Sequence, residues 1–376
     1  MRRLKLKSGW LLIVAAAVTL TACGSDPVDD VLQEIDPPQQ INFVDEEEGL
    51  EVDLVVEEDG DQSSSTTDMD GDGVADEAEE KGGTVSETVM RELYLVDSNG
   101  LVAPQSVNLP RGDSELEGIV QYLVQGGPVT ELLPNGFQAV LPSGTEILNA
   151  EVQQGTATLN LSEQFTEYHP QQEMQILQAL TWTVTQLDGV DSLKLQLDGE
   201  ELSMMPQNGT PISSSGYTRN HGINLEMSDQ ADLVNTKSVV LYFLSQTDDQ
   251  TYYVPVTRRV NQDDDLYEAV VGELIKGPGM MSPLLTEFSN GVELLDAPQL
   301  ANGTLTLNFN EALLNMSEGT ALSEYVLNMI VYSLTEQPTV ENVSLQVDSE
   351  SSIEVNSGET LTEPVARPNM VNTGEY

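Results

Sequence analysis

The segment Thr158-Leu159-Asn160-Leu161-Ser162-Glu163 returns 148 residues later as Thr306-Leu307-Asn308-Phe309-Asn310-Glu311. Other pairs keep step with it: Leu93-Tyr94 with Leu241-Tyr242, Gly127-Pro128 with Gly277-Pro278, and Leu195-Gln196-Leu197-Asp198 with Leu345-Gln346-Val347-Asp348. The offset stays between 148 and 150 residues, so one unit was copied and the loops changed little. A chain of 376 residues is thereby divided into two like modules, 91–224 and 237–372, with 225–236 as a linker and 373–376 as a tail. Each module is long enough to bury its own core.

Within the first module, Glu92 to Val96 reads as a strand, Asp97-Ser98-Asn99-Gly100 as a hairpin turn, and Leu101 to Leu109 as the partner strand. Ser114 and Glu117 have the spacing of a capping box, and Leu116, Ile119, Val120, Leu123 and Val124 form one apolar helical face ending before Gly126-Gly127-Pro128. A second hairpin is expected over Glu146–Gln153 and Thr156–Leu161, a second helix over Gln172–Leu187 with Leu177, Leu180, Thr181, Val184 and Leu187 inward, and a last strand over Ser192–Leu197. The second module repeats the plan: strands Val239–Leu244 and Thr251–Val256, helix Leu266–Lys276, strands Val292–Pro298 and Thr304–Phe309, helix Ser323–Leu334 and strand Val343–Val347. The order ββαββαβ predicts an α+β fold, each module a small mixed sheet with helices on one face.

Charge narrows the partners. Acidic residues number 63 against 14 Lys plus Arg, a formal charge of −49. Such a chain lacks the cations that displace counterions from phosphates, and nucleic acid would repel it. Adhesion to an anionic membrane through a basic patch is excluded on the same ground. The charge fits a solvated surface, or a protein outside the cytoplasm in high salt, where ions screen self-repulsion.

The N-terminus is a targeting segment, 1–23. Arg2, Arg3, Lys5 and Lys7 precede an apolar run from Trp10 to Leu20, too short to span a bilayer, which ends in Leu20-Thr21-Ala22-Cys23. That ending resembles the bacterial lipobox: small residues admit the peptidase, and the thiol of Cys23 takes up diacylglycerol. Cys23 is the one cysteine, so disulfides and CxxC chemistry are excluded. The expectation is a signal-bearing, acylated (palmitate-type) lipoprotein tethered on the extracytoplasmic face of the cell membrane.

Residues 24–90 read as an acidic, disordered arm. Asp26 to Val89 holds 23 Asp plus Glu and one basic residue, Lys81, and cannot bury enough apolar area to offset chain entropy. Inside it, 68–79 resembles a calcium loop. Asp68, Asp70 and Asp72 fall at positions 1, 3 and 5, Val74 offers a carbonyl, Asp76 falls at 9 and Glu79 at 12. Ala75 stands where a large aliphatic is usual, and no apolar helix flanks the loop. Weak calcium binding and a plain acidic linker are both open; no other cofactor is implied.

The repeat runs past the last strand. Arg219-Asn220-His221-Gly222-Ile223-Asn224 matches Arg367-Pro368-Asn369-Met370-Val371-Asn372 in its Arg, its aliphatic residue and its Asn. Arginine is scarce here, so its retention is informative. The expectation is a strap: each tail folds back on its module, Arg forked to a carboxylate and Ile223 or Val371 filling a groove.

With both copies aligned, the chain resembles the GerM family of sporulation and spore germination lipoproteins, each module similar to a GerMN domain. The Leu-Tyr strand, the Gly-Pro after the first helix, the Thr-Leu-Asn-[Leu/Phe]-x-Glu strand and the Arg-x-x-x-[Ile/Val]-Asn tail carry the resemblance. It implies an endospore former, attachment to the mother-cell membrane facing the forespore, and modules like the ring-building motifs of the channel between the two cells. It therefore implies protein–protein contacts with an envelope or channel protein or with further copies of the chain, and no catalytic residue.

The residues themselves offer little chemistry. His169 and His221 lack metal or triad spacing, and no phosphate loop, GxSxG or HExxH occurs. Glu163 and Glu311 are the best acid–base candidates, and a wall-glycan hydrolase using them is the alternative reading, but nothing in the spacing brings them together. A passive spacer lipoprotein is the other alternative. The expectation is a non-catalytic, lipid-anchored interaction protein.

Overall fold

A computed structural model describes residues 88–112, 114–226, 235–314 and 321–373. The leader with Cys23, the acidic arm with its calcium-like loop, Asp113, most of the linker and the last three residues lie outside the described residues.

The chain enters through strand β1 (Thr88–Asp97), which pairs antiparallel with β2 (Val102–Pro110) from Thr88↔Pro110 to Val96↔Val102. Asp97 closes the turn: its Oδ1 accepts from the N–H groups of Asn99 and Leu101, at 2.9 and 2.8 Å, and Gly100 takes the positive φ of 79° that the turn requires. Helix α1 (Glu115–Gln121) is capped by Ser114, whose Oγ accepts from the Glu117 N–H at 3.3 Å. It is shorter than its apolar face. Leu123 and Val124 are buried, yet they lie on a tight turn that ends with Gln125 N–H donating to Leu141 O.

Strands β3 (Ile147–Gln153) and β4 (Thr156–Leu161) form the second hairpin. Helix α2 (Glu173–Val184) then crosses over to β5 (Ser192–Leu197), which lies parallel to β4 from Thr156↔Ser192 to Leu161↔Leu197. A parallel pair needs such a crossover, and the helix supplies it. The second module repeats this. Strands β6 (Thr236–Gln246) and β7 (Thr251–Asn261) pair throughout, and α3 (Leu266–Lys276) is capped by Asp265. Strands β8 (Gln299–Ala301) and β9 (Thr304–Phe309), helix α4 (Glu324–Thr335) and strand β10 (Asn342–Val347) follow, with β9 parallel to β10.

The fold is α+β as expected, with one more layer than the sequence suggests. The hairpins β1–β2 and β6–β7 do not join the β3–β4–β5 and β8–β9–β10 sheets. Helix α2 packs against β1 on one side and β5 on the other, as α4 packs against β6 and β10. The second helix of each module is thus covered on two faces. That is why every residue from Ile176 to Val184 is buried, including Gln178 and Thr183, which lie outside the inward face of an amphipathic helix. Two of the polar residues inside are used in both modules alike: Thr183 Oγ1 accepts from the Tyr94 N–H at 3.0 Å, and its counterpart Ser333 Oγ accepts from the Tyr242 N–H at 2.8 Å.

One predicted strand is corrected. Val292–Pro298 is irregular, touching β9 through a single bridge from Leu294 to Phe309, and regular pairing begins at Gln299. Pro298 has no N–H to give a ladder, so the strand starts after it.

Candidate functional site

Both tails fold back, and they close on the seam between the modules. The two repeats belong to one compact unit, Glu80–Tyr376, in which β2 faces β7. These strands do not zip together directly. Pro104 in β2 and Pro255 in β7 both turn their carbonyls to the seam and have no N–H to offer there. Asparagine side chains take over. Asn224 Nδ2 donates to Val102 O at 2.7 Å and to Pro255 O at 2.8 Å, while its Oδ1 accepts from the Val102 N–H at 2.9 Å. Asn372 repeats this with the modules exchanged: Nδ2 donates to Tyr253 O at 2.9 Å and Pro104 O at 2.7 Å, and Oδ1 accepts from the Tyr253 N–H at 2.7 Å. Val102 corresponds to Tyr253 and Pro104 to Pro255, so the seam has a local two-fold relation. Both asparagines hold positive φ, 44° and 56°, which asparagine tolerates better than most residues.

The straps seal the rest of the seam. Ile223 and Val371 are fully buried. Thr257 N–H donates to Ile223 O at 2.9 Å, Glu226 N–H donates to Thr257 O at 3.0 Å, and Ser106 Oγ donates to Val371 O at 2.7 Å. Two hairpin edges that would otherwise be open to another strand are thereby occupied.

The arginines sit at helix C-termini, where spare carbonyls and the helix dipole favour a cation. Arg219 donates from Nε to Thr185 Oγ1 at 2.8 Å and from Nη2 to Trp182 O at 3.4 Å, with its guanidinium 4.4 Å from the Trp182 ring centre. Arg367 donates to Tyr332 O at 2.9 Å and Thr335 Oγ1 at 3.2 Å, and lies over Tyr242 and Tyr332. The expected carboxylate differs from the observed one. Each module was to supply its own, yet both arginines meet Glu336 of the second module, Arg367 at 2.9 Å and Arg219 at 3.6 Å. The reason lies in the sequence: the repeat partner of Glu336 is Gln186, which carries no charge and donates instead to Glu92 O at 3.3 Å.

Glu92 is the second carboxylate of this cluster. It is 9% exposed, and its Oε1 accepts from the Val371 N–H at 2.5 Å. Burial pushes its carboxyl above the usual range; the Val371 hydrogen bond and the charges of Arg367 and Arg219 pull the other way, and Glu336 adds to the rise.

Two further polar centres had not been singled out. Arg258 is 4% exposed under the Phe243 ring and bonds Glu226, Glu273 and Gly277 O, tying strap, strand and the end of α3 together. The Arg258-Arg259 pair in a strand of a chain poor in arginine was the available signal. Glu173, fully buried at the start of α2, accepts from the N–H groups of Gln207, Asn208 and Thr210 and from Tyr168 Oη. Burial alone would raise its carboxyl, but the bonds from Thr210, Asn208 and Tyr168 hold it below the usual range.

The remaining candidates are dispersed. Glu163 and Glu311 each open a single helical turn, one per module. His169 receives the N-terminal turn before α2, and His221 accepts from the Thr218 N–H at 3.0 Å while stacked on Tyr217. Among the described residues no group of His, Cys, Asp and Glu could hold a metal, and no helix is long and apolar enough to cross a membrane. Cys23, Asp68, Asp70, Asp72, Val74, Asp76 and Glu79 lie outside them.

Comparison with known proteins fits this architecture. A family model described as Germane, sporulation and spore germination, matches residues 92–203 and 240–352, once per module. The spore germination protein GerM of Bacillus subtilis (strain 168) is 42% identical over 99% of this chain and 100% of its own length. The solved tandem GerMN domains of the sporulation protein GerM from Bacillus subtilis are 45% identical, with a TM-score of 0.71, covering 76% of this chain and all of that one. The solved first GerMN domain alone is 48% identical, covers 35% of this chain and 98% of its own, and has a TM-score of 0.34. Matched twice by the family model and along nearly its whole length by a germination protein, the chain belongs to the Germane family of sporulation and spore germination proteins.

Proposed function

We propose that the chain is a membrane-anchored, non-catalytic lipoprotein of endospore formation and germination, acting through protein–protein assembly in the cell envelope. The observation that carries this reading is the clasp. The residues most specific to the repeat, Arg219, Asn224, Arg367 and Asn372, are spent on joining the modules and covering two hairpin edges. What they produce is one compact two-module unit, and this suits a structural subunit. Two edges open to a partner among the described residues are β3 and β8, each at one end of its sheet. Val152 in β3 and Leu300 in β8 are repeat-equivalent and exposed, at 45% and 40%. A strand from an envelope protein, or from another copy as in ring-building motifs, would pair there through its backbone and require no chemical motif.

Cys23 would hold the body at the membrane by acyl chains, with the acidic arm between, and a calcium ion could bind at 68–79. The test is crosslinking in sporulating cells followed by recovery of the chain from membranes. A reproducible envelope partner, reduced by Val152→Lys, supports assembly. Recovery of no partner contradicts it.

A further inference from the structure

We infer that the open faces of the two sheets bind an uncharged, N-acetylated glycan strand. Helices α2 and α4 cover one face of each sheet, and alternate residues of the inner strands present the opposite face. In the second module its rungs are Thr304–Asn342, Thr306–Ser344 and Asn308–Gln346. In the first they are Thr156–Ser192, Thr158–Lys194 and Asn160–Gln196. No rung carries a carboxylate, although 63 of the chain's 376 residues are acidic. Lys194 is paired with Glu201 at 3.1 Å. The edge strands add Gln299 beside Thr306 and Glu151 beside Thr158. Some of these side chains serve the fold: Asn160 and Asn308 accept from the N–H groups of Gly199 and Ser349, at 2.8 and 2.9 Å. Others do not. Thr158 and Thr306, and Gln196 and Gln346, are half-buried and identical in the two copies, yet their side chains make no hydrogen bond among the described residues. They remain free for an occupant.

The chemistry of the occupant follows from what the faces lack. Without carboxylates the rungs offer nothing to a cation, and a chain of formal charge −49 repels a polyanion. Protein interfaces are anchored by aromatic, Met or Arg side chains, and no rung supplies one. What the rungs hold is hydroxyls and carboxamides, groups that both donate and accept. Sugar hydroxyls match the first. An acetamido group matches the second, donor to acceptor and acceptor to donor. A hydrogen-bonding face with no ring to stack on makes a weak single contact. The repeat answers this, since two like faces in one compact unit gain from a ligand that itself repeats. The inference uses the sheet faces rather than the edges assigned to assembly, and it stands without a protein partner.

The test is co-sedimentation of the full chain with an insoluble polymer of N-acetylglucosamine, beside the glucose polymer cellulose, at low and at molar salt. The chain should bind the acetylated polymer at least about tenfold better than cellulose, and contact between an uncharged ligand and an uncharged face should persist in molar salt. Gln196→Ala combined with Gln346→Ala removes both free carboxamides and should weaken binding at least about tenfold. Its melting midpoint should stay where it is, because neither side chain bonds within the fold. Thr158→Ala combined with Thr306→Ala should weaken binding through the hydroxyls. No binding to the acetylated polymer, equal binding to cellulose, loss in molar salt, or full binding by either double variant would overturn the inference. So would self-association of the chain that the same substitutions abolish, since the faces would then serve a second copy.

Discussion

At Asn224 a side-chain amide stands in for a backbone pair that Pro255 cannot complete, and Asn372 does the same at Pro104. Asn224→Ala leaves Val102 O and Pro255 O without their donor in a part-buried seam, which should cost about 1–3 kcal/mol. Asn224→Asp keeps the acceptor for Val102 N–H but puts a carboxylate against two carbonyls, so it should cost at least as much; denaturant melts of the three proteins check the order. Arg258 is a harsher case. Its removal leaves Glu273, 8% exposed at the side chain, with Lys276 as its one remaining cation and takes the donor from Gly277 O, so Arg258→Leu should cost about 3 kcal/mol. Glu336→Gln leaves two arginines facing each other with one neutral acceptor. The arginine side chains are 28% and 32% exposed, so water softens the loss to about 1–2 kcal/mol. Glu173 is held low in the fold, so its contribution is present above 4.5 and lost as pH falls below it. Protection of the Gln207, Asn208 and Thr210 amides, corrected for the intrinsic pH dependence of exchange, should therefore fall in acid.

Among the elements, those whose partners are local were legible in the sequence. Helix α3 spans the residues its cap and Gly277 mark out, and β4 and β9 follow the repeated Thr-Leu-Asn text. Helices α2 and α4 were legible as helices, but their second covered face was not. Gln178 and Thr183 fall outside the inward face that Leu177, Leu180, Thr181, Val184 and Leu187 define, and only the hairpin lying across them makes them interior. Loss of apolar volume there should be felt on both layers: Ile330→Ala in α4, fully buried, should cost about 2–5 kcal/mol by thermal melt. The straps were visible as a repeated Arg, aliphatic and Asn. Which carbonyls they reach was not visible, because a repeat cannot say whether a tail docks on its own module or its neighbour, and here Asn224 and Asn372 do both. Glu336 was missed as the shared carboxylate because the repeat partner, Gln186, breaks the pattern there.

The molecule as a whole is a duplicated unit whose copies are joined by their own C-terminal extensions. The interface is nearly isologous, as in a two-fold dimer, with Asn224 and Asn372 as the paired contacts and the Glu92–Glu336 cluster as the place where symmetry is broken. A fused dimer of this kind gains from covalent linkage, since the second module is always at high local concentration. The straps then decide whether two linked modules behave as one body. Calorimetric unfolding of the full chain tests that most directly, against a variant ending at Ala366. The account predicts a single cooperative transition for the full chain, with calorimetric and van't Hoff enthalpies in agreement, and two separated transitions once Arg367, Val371 and Asn372 are gone. Two transitions in the intact chain, or one unchanged transition in the shortened chain, would contradict it.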